Sequence, residues 1–454
     1  MSTQKLKNEK VFRDPVHDVI RVQDQVILDL IDTSEFQRLR RIKQLGITSE
    51  VYHGAEHSRF AHSLGVYEIA RRFAEHLENY YATKVPGDGL WDPSERLVLL
   101  AAALLHDLGH GPYSHTFEHI FGTDHEAYTQ AIILSEDTEI HQVLLQVAPD
   151  FPAKVAAVIA KTYDNQQVVQ LISSQIDVDR MDYLLRDAYY SGATYGRFDL
   201  SRLMQMMRPY QDGIAFDVRS MNAVEDYIIS RYQMYVQVYF HPVSRAMEVM
   251  LTALLARVKH LYALSQKDTM RSSAFIPEAL KPLFAGGIDV NYYLTLDDAV
   301  LLAAINTWRY ADDSILADLA NRFLDRRQFK SIVITAGMED LLPKLRELIA
   351  MAGFSPEYYT AENDSYDLSY DIYRPRSKKP QTQIELVRPD CSLVELSAES
   401  SLVEAMSGRY YGDARFFFPR EMLAEQAIDD VMAPVYGDFQ RYVHNMELVR
   451  PTED

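Results

Sequence analysis

The stretch LVLLAAALLHDLGHGPYSH, residues 97–115, decides the fold. Its first nine residues, 97–105, are apolar on every side, which predicts a helix buried on all its faces. The helix runs into the adjacent pair His106 and Asp107, and Gly109 and Gly111 follow as a helix stop. A histidine and an ionised carboxylate are costly to bury without partners, and a metal ion can satisfy both. We therefore predict a metal site at the inner end of this helix.

Length and composition bound the class of protein. The chain has 454 residues, enough for a large core and two domains, and its 47% hydrophobic and 24% charged residues are typical of a globular protein. The polar start and the short apolar runs predict neither a signal peptide nor a membrane span. The single cysteine excludes an intrachain disulfide and predicts a cytoplasmic location.

The net charge of −19 argues against nonspecific nucleic-acid binding, which depends on a basic surface. It does not exclude an anionic small molecule, because local arginines and metals can dominate the field of one cleft.

The periodicity predicts a mainly α protein. A hairpin is expected in VFRDPVHDVIRV (11–22), and helices dominate from about 33 to 325. Beyond 330, KSIVIT, TQIELVRPDCSLVEL and ARFFFP are typical of strands, and DLLPKLRELIAMAG is typical of a helix. We predict a helical catalytic domain at 1–330 and a smaller α+β region at 331–454.

A distant histidine, the His-Asp pair and a later aspartate resemble the metal pattern of the HD phosphohydrolases. The finer resemblance is to the HD-domain deoxynucleoside triphosphate (dNTP) triphosphohydrolases, or dGTPases, including bacterial members and the HD domain of a human member that also carries a SAM domain. The stretches that carry it span about 10–245 in family order: DPVHD, FQRLRRIKQLG, GAEHSRFAHSLGVYEIA, LLHDLGHGPYSHTFEH, DHEA, IDVDRMDYLLRDAYYSG and RYQMYVQVYFHPVSR. The resemblance implies an HD-domain helical core, with metal motifs in 57–187 and a phosphate- and base-binding helix in 222–245.

The resemblance assigns the metal ligands to His62, His106, Asp107 and Asp179. By itself His62 would be an ordinary structural histidine and Asp179 an exposed acid at a helix start. Mixed histidine and carboxylate ligation suits Mn, Fe, Zn or Ni, with Mg possible on the carboxylate side. Additional Mg is expected with the nucleotide phosphates. A metal with open positions can bind an α-phosphate oxygen and acidify a water.

The resemblance implies a second, catalytic group: His110, His115, Glu118, His125 and Glu126. In it, His115 donates a proton to the leaving 5′ oxygen and is oriented by Glu118, which is Asp in the human member. His125 contacts the phosphates.

Substrate contacts follow from the same motifs. The phosphates are assigned to Arg59, Arg180 and Arg231, of which position 180 is Lys in the human member. The nucleoside is assigned to Tyr183 under the deoxyribose, Asp187 and Gln44 at the 3′ hydroxyl, Leu45 at the 2′ position, Tyr239 at the base and His241 nearby. Spacing alone puts Asp179, Tyr183 and Asp187 on one helix face. Arg186 is left open between an ion pair and a ligand contact.

A regulatory site is predicted near FQRLRRIK (36–43), a basic segment that composition alone would interpret as a solvated helix face. The resemblance implies a guanine-nucleotide activator, dGTP or GTP, at Lys10, Val11, Asp32, Gln37 and Arg40. For Asp32 the alternative is a helix cap. Because such a site lies between subunits in the family, a homo-oligomer is expected, with a tetramer favoured over a dimer.

The leading hypothesis is a metal-dependent dNTP triphosphohydrolase that releases deoxynucleoside and inorganic triphosphate. The alternatives are another HD phosphohydrolase, such as a nucleotidase or cyclic-nucleotide phosphodiesterase, and a nucleotide-sensing regulator without turnover. Nuclease activity is disfavoured by the net charge.

Overall fold

The computed structural model describes residues 5–210, 213–267, 275–286, 288–368, 383–407, 410–424 and 432–451, without the side chains of residues 115, 364–368 and 410–411. These ranges are mainly helical, and three β-sheets lie among their helices, which confirms the predicted fold class. Within them, no helix has both the length and the apolar character that a membrane span requires.

The first element is an antiparallel hairpin of β1 (Lys5–Asp14) and β2 (Asp18–Asp24), as predicted. Asp14 closes its turn, because Oδ1 accepts hydrogen bonds from the backbone N–H groups of Val16 and His17, each at 2.9 Å. Asp18 takes the left-handed conformation, with φ +63°, that completes the reversal.

The helical core is centred on α3 and α4. Its helices are α1 (Gln25–Asp32), α2 (Ser34–Arg38), α3 (Arg59–Tyr81), α4 (Arg96–Leu105), α5 (His115–Phe121), α6 (His125–Leu134), α7 (Glu139–Leu145), α8 (Phe151–Ile159), α9 (Gln166–Ile172), α10 (Val178–Ser191), α11 (Leu200–Met206), α12 (Met221–Met234) and α13 (Pro242–Lys267). The α4 helix is buried from Val98 to Leu105, and α3 packs against both α4 and α10. His106 caps α4 and Asp107 follows, so the pair lies at the helix end that the sequence predicts.

The remaining elements alternate short helices and strands. The helices are α14 (Lys281–Ala285), α15 (Val290–Tyr293), α16 (Asp298–Trp308), α17 (Ser314–Leu324), α18 (Leu342–Met351), α19 (Pro356–Tyr359), α20 (Leu396–Glu399), α21 (Ser401–Met406) and α22 (Ala433–Gln440). The strands are β3 (Met207–Tyr210), β4 (Gly213–Asp217), β5 (Lys330–Val333), β6 (Ala361–Leu368), β7 (Glu385–Val387), β8 (Leu393–Glu395), β9 (Tyr410–Phe418), β10 (Val443–His444) and β11 (Glu447–Leu448).

Single turns of 3₁₀ helix lie at Leu39–Arg41, Gly46–Glu50, Pro93–Glu95, Val218–Ser220, Glu278–Leu280, Glu339–Leu341 and Arg420–Leu423, and a π-helical turn spans Tyr235–Tyr239. Apart from the hairpin, the sheet orders are β10-β11-β5-β9-β6 and β3-β4-β7-β8.

The antiparallel pair β3–β4 lies within the region expected to be helical and was missed. Pro209 cannot continue α11, because proline lacks the amide hydrogen that a helix needs. The β4 strand also pairs in parallel with β7, more than a hundred residues later, and local periodicity carries no signal for such a partner.

The two predicted regions, 1–330 and 331–454, contact each other through a common sheet and through hydrogen bonds. The β7 strand from the second region extends the sheet of β4 in the first. Arg245 of α13 is buried and donates hydrogen bonds to Asn363 Oδ1 (2.9 Å) and to Asp413. The domain boundary at residue 330 stays a prediction. Two domains that fold independently would have to be stable without these contacts.

Candidate metal centre and active site

The four predicted metal ligands lie together at the junction of α3, α4 and α10. His62 Nε2 is 3.0 Å from Asp179 Oδ1 and 3.8 Å from Asp107 Oδ2. His106 Nε2 is 3.3 Å from Asp107 Oδ1 and 3.5 Å from Asp179 Oδ1. Residues of α3, the end of α4 and α10 therefore bring His62, His106 and Asp179 within coordination reach of one ion, and Asp107 lies beside them.

The donor chemistry fits a divalent cation. His106 Nδ1 donates to the carbonyl oxygen of Ala103 at 2.9 Å, whereas its Nε2 is buried without a hydrogen-bond partner. Burial lowers the pKa of His62, but hydrogen bonds to Asp179 and Asp182 and the charge of Asp107 outweigh it and raise that pKa to about 10. An orphaned imidazole nitrogen among concentrated negative charge is the environment that a metal ion would satisfy.

Asp182 supports this centre from behind. Its Oδ2 accepts from His62 Nδ1 at 2.8 Å, and its Oδ1 lies 2.6 Å from His17 Nε2. Arg186 donates to both Asp182 oxygens and to Asp14, all fully or nearly buried. Arg186, left open between two roles by the sequence, is therefore part of a buried ion-pair network.

Beside the metal centre, His110 and His125 stack with ring centroids 4.0 Å apart and an interplanar angle of 13°. Glu118 Oε1 lies 2.9 Å from His125 Nδ1 and 3.7 Å from His110 Nδ1. Burial, reinforced by the charge of Arg59, lowers the pKa of His110 to about 3. For His125, burial is outweighed by the hydrogen bond and charge of Glu118, which raise its pKa. Two adjacent imidazoles are thus pushed towards opposite protonation states, which is a recurring arrangement in acid–base sites.

Stacking also bears on whether this second group holds an ion. A metal lies close to the plane of each imidazole that binds it, and two parallel rings 4.0 Å apart do not share such a point. The geometry of His110 and His125 therefore favours proton transfer or phosphate contact over a second metal site.

Two other predicted catalytic residues are placed differently. The backbone of His115 begins α5, and its side chain lies outside the described part of the structure. Glu126 forms an ion pair with Lys161 at 2.8 Å, with both side chains close to half exposed. Its assignment stays a prediction.

Arg59 joins the metal centre to the loop before α5. Its guanidinium donates to Asp107 Oδ2 and, at 2.8 Å, to Ser114 Oγ. Tyr113 and Ser114 have φ values of +51° and +43°, a conformation that non-glycine residues rarely adopt and that clusters at functional sites. The cation is buried beside the proposed ligands, where it could also meet a phosphate oxygen.

A polar and aromatic wall continues from the metal along α10. Tyr183 packs against Tyr239 with ring centroids 6.2 Å apart. Tyr239 Oη donates to Asp187 Oδ2 at 2.7 Å, and His57 Nε2 lies 2.8 Å from Asp187 Oδ1. One helix thus carries the proposed metal ligand Asp179 at one end and a hydrogen-bonded carboxylate two turns later, as the spacing predicts.

The other predicted substrate residues differ in their surroundings. Gln44 Oε1 is buried without a hydrogen-bond partner, and Leu45 follows it half-buried. Arg180 pairs with Asp177, and the Arg231 guanidinium lies 5.6 Å from the ring of Tyr235. The remaining residue, His241, stands edge-on to Tyr52 at 5.9 Å.

Comparison with known proteins gives the family. A model of the HD domain matches residues 59–187, and a model of the HD associated region matches residues 198–275. The uncharacterized protein YwfO of Bacillus subtilis is 49% identical over 422 residues, which is 93% of this chain and 94% of that protein. The chain belongs to the HD-domain family.

This HD-domain protein is a phosphohydrolase of the HD superfamily. A crystal structure of a phosphohydrolase from Bacteroides thetaiotaomicron superposes with a TM-score of 0.76 at 26% identity, covering 90% of this chain and 100% of that one. The deoxynucleoside triphosphate triphosphohydrolase SAMHD1 homolog of Dictyostelium discoideum is 31% identical over 256 residues, 54% of this chain and 48% of that protein. HD domains bind a divalent metal, in agreement with the cluster of His62, His106 and Asp179.

The residues predicted to bind an activator all lie within the first 40 residues of this HD-domain protein. Lys10 and Val11 lie on β1, with Val11 exposed. Gln37 and Arg40 bond to each other at 2.7 Å, and the Arg40 guanidinium lies 3.5 Å from the centroid of Phe60. Asp32 is the exposed last residue of α1 and lines an open cleft of ≈ 420 Å³.

The alternative interpretation of Asp32 as a helix cap is wrong. Thr33 is the residue before α2, and its hydroxyl accepts from the backbone N–H of Phe36. The Asp32 carboxylate is therefore not used in capping, which leaves it available to a ligand.

Sequence reasoning missed the residues that support the site. Asp182 received no role, although it lies four residues before Arg186 on α10, the spacing of a helical ion pair. The ion-pair alternative left open for Arg186 already pointed to such a partner. His17 lies within DPVHD, a quoted motif without an assigned role, and His57 was left unassigned. Their partners Asp182 and Asp187 are over a hundred residues away, so only the fold identifies them.

Proposed function

We propose that this protein is a metal-dependent dNTP triphosphohydrolase that cleaves its substrate to deoxynucleoside and inorganic triphosphate. The observation that carries the proposal is the single face of α10 that holds Asp179, Tyr183 and Asp187. This face runs from the metal centre to the carboxylate of Asp187, which already accepts a hydrogen bond from the Tyr239 hydroxyl. Two SAMHD1-type relatives are named as deoxynucleoside triphosphate triphosphohydrolases, at 31% and 30% identity.

The phosphate end of the proposed site would take its positive charge from three arginines and the metal. Arg59, Arg180 and Arg231 would bind phosphate oxygens, because planar guanidinium groups match them in geometry and charge. The metal, held by His62, His106, Asp107 and Asp179, would supply positive charge at the α-phosphate and acidify the attacking water.

The protons would be handled by the group beside the metal. A low pKa keeps His110 neutral at neutral pH, whereas Glu118 favours the protonated form of His125. In this proposal His115 gives a proton to the leaving 5′ oxygen, and Glu126 assists the catalytic group of His110, Glu118 and His125.

The sugar end would select deoxyribose. Asp187 would accept the one hydrogen bond that the 3′ hydroxyl can donate, and the Gln44 side-chain amide would donate to the same oxygen. Leu45 would occupy the space of a 2′ hydroxyl, and Tyr183 would pack under the ring. Tyr239 and His241 would flank the base.

Regulation is part of the same proposal. A guanine nucleotide, dGTP or GTP, would bind Lys10, Val11, Asp32, Gln37 and Arg40 between subunits and favour an assembled, active homotetramer. Such a shift requires that the nucleotide bind the assembled state more tightly than the separate subunits.

The test is product analysis of the full chain. Each dNTP is incubated with Mn²⁺ or Mg²⁺, with and without dGTP or GTP, and the products are separated by ion-exchange chromatography. Deoxynucleoside with intact triphosphate is the expected result. Release of monophosphate or orthophosphate instead would mean another HD phosphohydrolase reaction, and bound nucleotide without turnover would mean a sensing regulator.

A matched pair of variants tests the sugar assignment. Asp187→Asn should lower kcat/KM for dNTPs by about 10- to 100-fold, the value of one hydrogen bond to a charged group. Asp164→Asn changes a carboxylate in the loop between α8 and α9 and should leave the rate unchanged. Equal rates for both variants would remove Asp187 from the substrate site.

A further inference from the structure

The turn of the β1–β2 hairpin reaches the back of the metal centre. His17 lies in this turn, and its Nε2 is 2.6 Å from Asp182 Oδ1, with 2% of the His17 side chain and none of the Asp182 side chain exposed. Asp14, at the start of the turn, accepts from the backbone N–H of His17 at 2.9 Å and from Arg186 Nη1 at 2.8 Å. The hairpin is thus bonded twice to α10 through buried, charged groups.

Asp182 links the hairpin turn to His62, one of the proposed metal ligands. Its second oxygen, Oδ2, accepts from His62 Nδ1 at 2.8 Å, so His62 Nε2, the nitrogen that would bind the metal, faces Asp179 and Asp107. A carboxylate behind a metal-binding histidine sets the tautomer and orientation of the ring and raises its basicity.

The Asp182 carboxylate has little freedom once all its contacts are formed. Arg186 donates to Oδ2 at 2.8 Å and to Oδ1 at 3.0 Å, so each oxygen has one arginine contact and one histidine contact. Without His17, Oδ1 would keep only the arginine, and the carboxylate could rotate towards Arg186 and away from His62.

We propose that His17 is a positioning residue for the metal ligand His62, acting through Asp182. The inference rests on the metal site of the proposed function, but it does not depend on the substrate. It makes the hairpin turn, which contributes no ligand, part of what determines metal affinity.

The test measures the binding of Mn²⁺ alone to metal-free, full-length protein, with the free ion followed by electron paramagnetic resonance. His17→Phe keeps a ring of similar size but removes the donor, and it should weaken Mn²⁺ binding about 10- to 100-fold, as other losses of such support do. His17→Gln can still present an amide N–H to Asp182 Oδ1 and should restore binding to near the wild-type value.

The matched control is His141→Phe. His141 is also buried, bonds the carbonyl oxygen of Ile133 at 2.9 Å and lies on α7, which supplies no metal ligand. It should lower the melting temperature without changing Mn²⁺ affinity. A folded His17→Phe variant with wild-type affinity would overturn the proposal, and so would equal weakening in His17→Phe and His17→Gln.

Should His17→Phe fail to fold, His17→Asn takes its place, because its shorter amide stops short of Asp182 while staying polar. It should then bind Mn²⁺ more weakly than His17→Gln, and equal affinities would contradict the proposal. Because no nucleotide is present, a failure of dNTP hydrolysis leaves this result intact, and wild-type protein that binds no Mn²⁺ would refute the metal site itself.

Discussion

Gly65 lies where α3 packs against the charged face of α10. A Cβ atom at this position would lie 1.9 Å from Asp182 Oδ1 and 2.4 Å from Arg186 Nη2. Both of those groups are fully buried and hydrogen-bonded, so neither can move without breaking the support of His62. The absence of a side chain at position 65 is therefore a condition for the metal centre.

Gly65→Ala should destabilise the fold by about 1–3 kcal/mol through overpacking, despite the higher helix propensity of alanine. It should also weaken Mn²⁺ binding, because Asp182 is displaced. Urea unfolding and the Mn²⁺ titration measure the two effects. Gly437→Ala is the control, since a Cβ there meets nothing within 4 Å, and a similar loss in both variants would contradict the steric argument.

Glu118 determines the protonation of its neighbour. Burial opposes the charged form of His125, and the hydrogen bond and charge of Glu118 outweigh it, so the pKa is raised. Glu118→Gln removes the charge, and the pKa of His125 should therefore fall, with the imidazolium lost at lower pH than in the wild type. Histidine-labelled NMR titration measures this value.

The control for that experiment is Glu126→Gln, next to His125 in sequence but paired with Lys161. It should leave the pKa of His125 unchanged. A fall in the Glu126 variant, or none in the Glu118 variant, would reassign the carboxylate that acts on this histidine.

At the scale of elements, the π-helical turn Tyr235–Tyr239 sets the direction of the chain after the end of α12. A π-turn holds one residue more than an α-helical turn, and such insertions occur often at functional sites. The turn brings the Tyr239 hydroxyl to Asp187, at 2.7 Å, and its ring against Tyr183. The extra residue is thus what aligns this segment with α10.

Deletion of Val236, which is 38% exposed, should convert this turn to regular α-helix and displace Tyr239. We expect kcat/KM for dNTPs to fall about 100-fold, the usual effect of an ångström-scale misplacement. The control, Val236→Ala, keeps the register and should retain activity. A deletion variant with full activity would show that the alignment of Tyr239 is not needed.

At the scale of the whole molecule, the second region completes the first. Arg245 is buried, with its guanidinium bonded to Asn363 and Asp413. Phe329, Tyr358 and Phe417 share a hydrophobic cluster with the leucines of α13. A fragment that ends at residue 330 would keep Phe329 but lose Tyr358, Phe417 and the partners of Arg245, so apolar side chains of α13 would face water.

We therefore expect fragment 1–330 to lack the cooperative melting transition of the full chain, since the apolar surface of α13 that Tyr358 and Phe417 cover would face water. Circular dichroism during heating measures this. Arg245→Met in the full chain is the companion variant, because it removes the charge and keeps the packing. If the fragment melts like the full chain, the predicted division into two independent domains holds.

The sequence by itself determined the helical class, the hairpin, the four strands β5, β7, β8 and β9, and the candidate metal ligands, but not β6, β10 and β11. These features depend on local information: apolar periodicity, turn residues, and a His-Asp pair at the end of an apolar run. The family motifs then ordered His62 and Asp179 around that pair.

Only the tertiary structure decided what supports the ligands. The contacts of His17 with Asp182, His57 with Asp187 and β4 with β7 join residues more than a hundred positions apart. A single sequence has no periodic signal for such pairs, because they are set by how helices and strands pack and not by neighbours along the chain. The sequence thus predicts the candidate metal site, whereas the network of hydrogen bonds that orients its residues appears only in the folded chain.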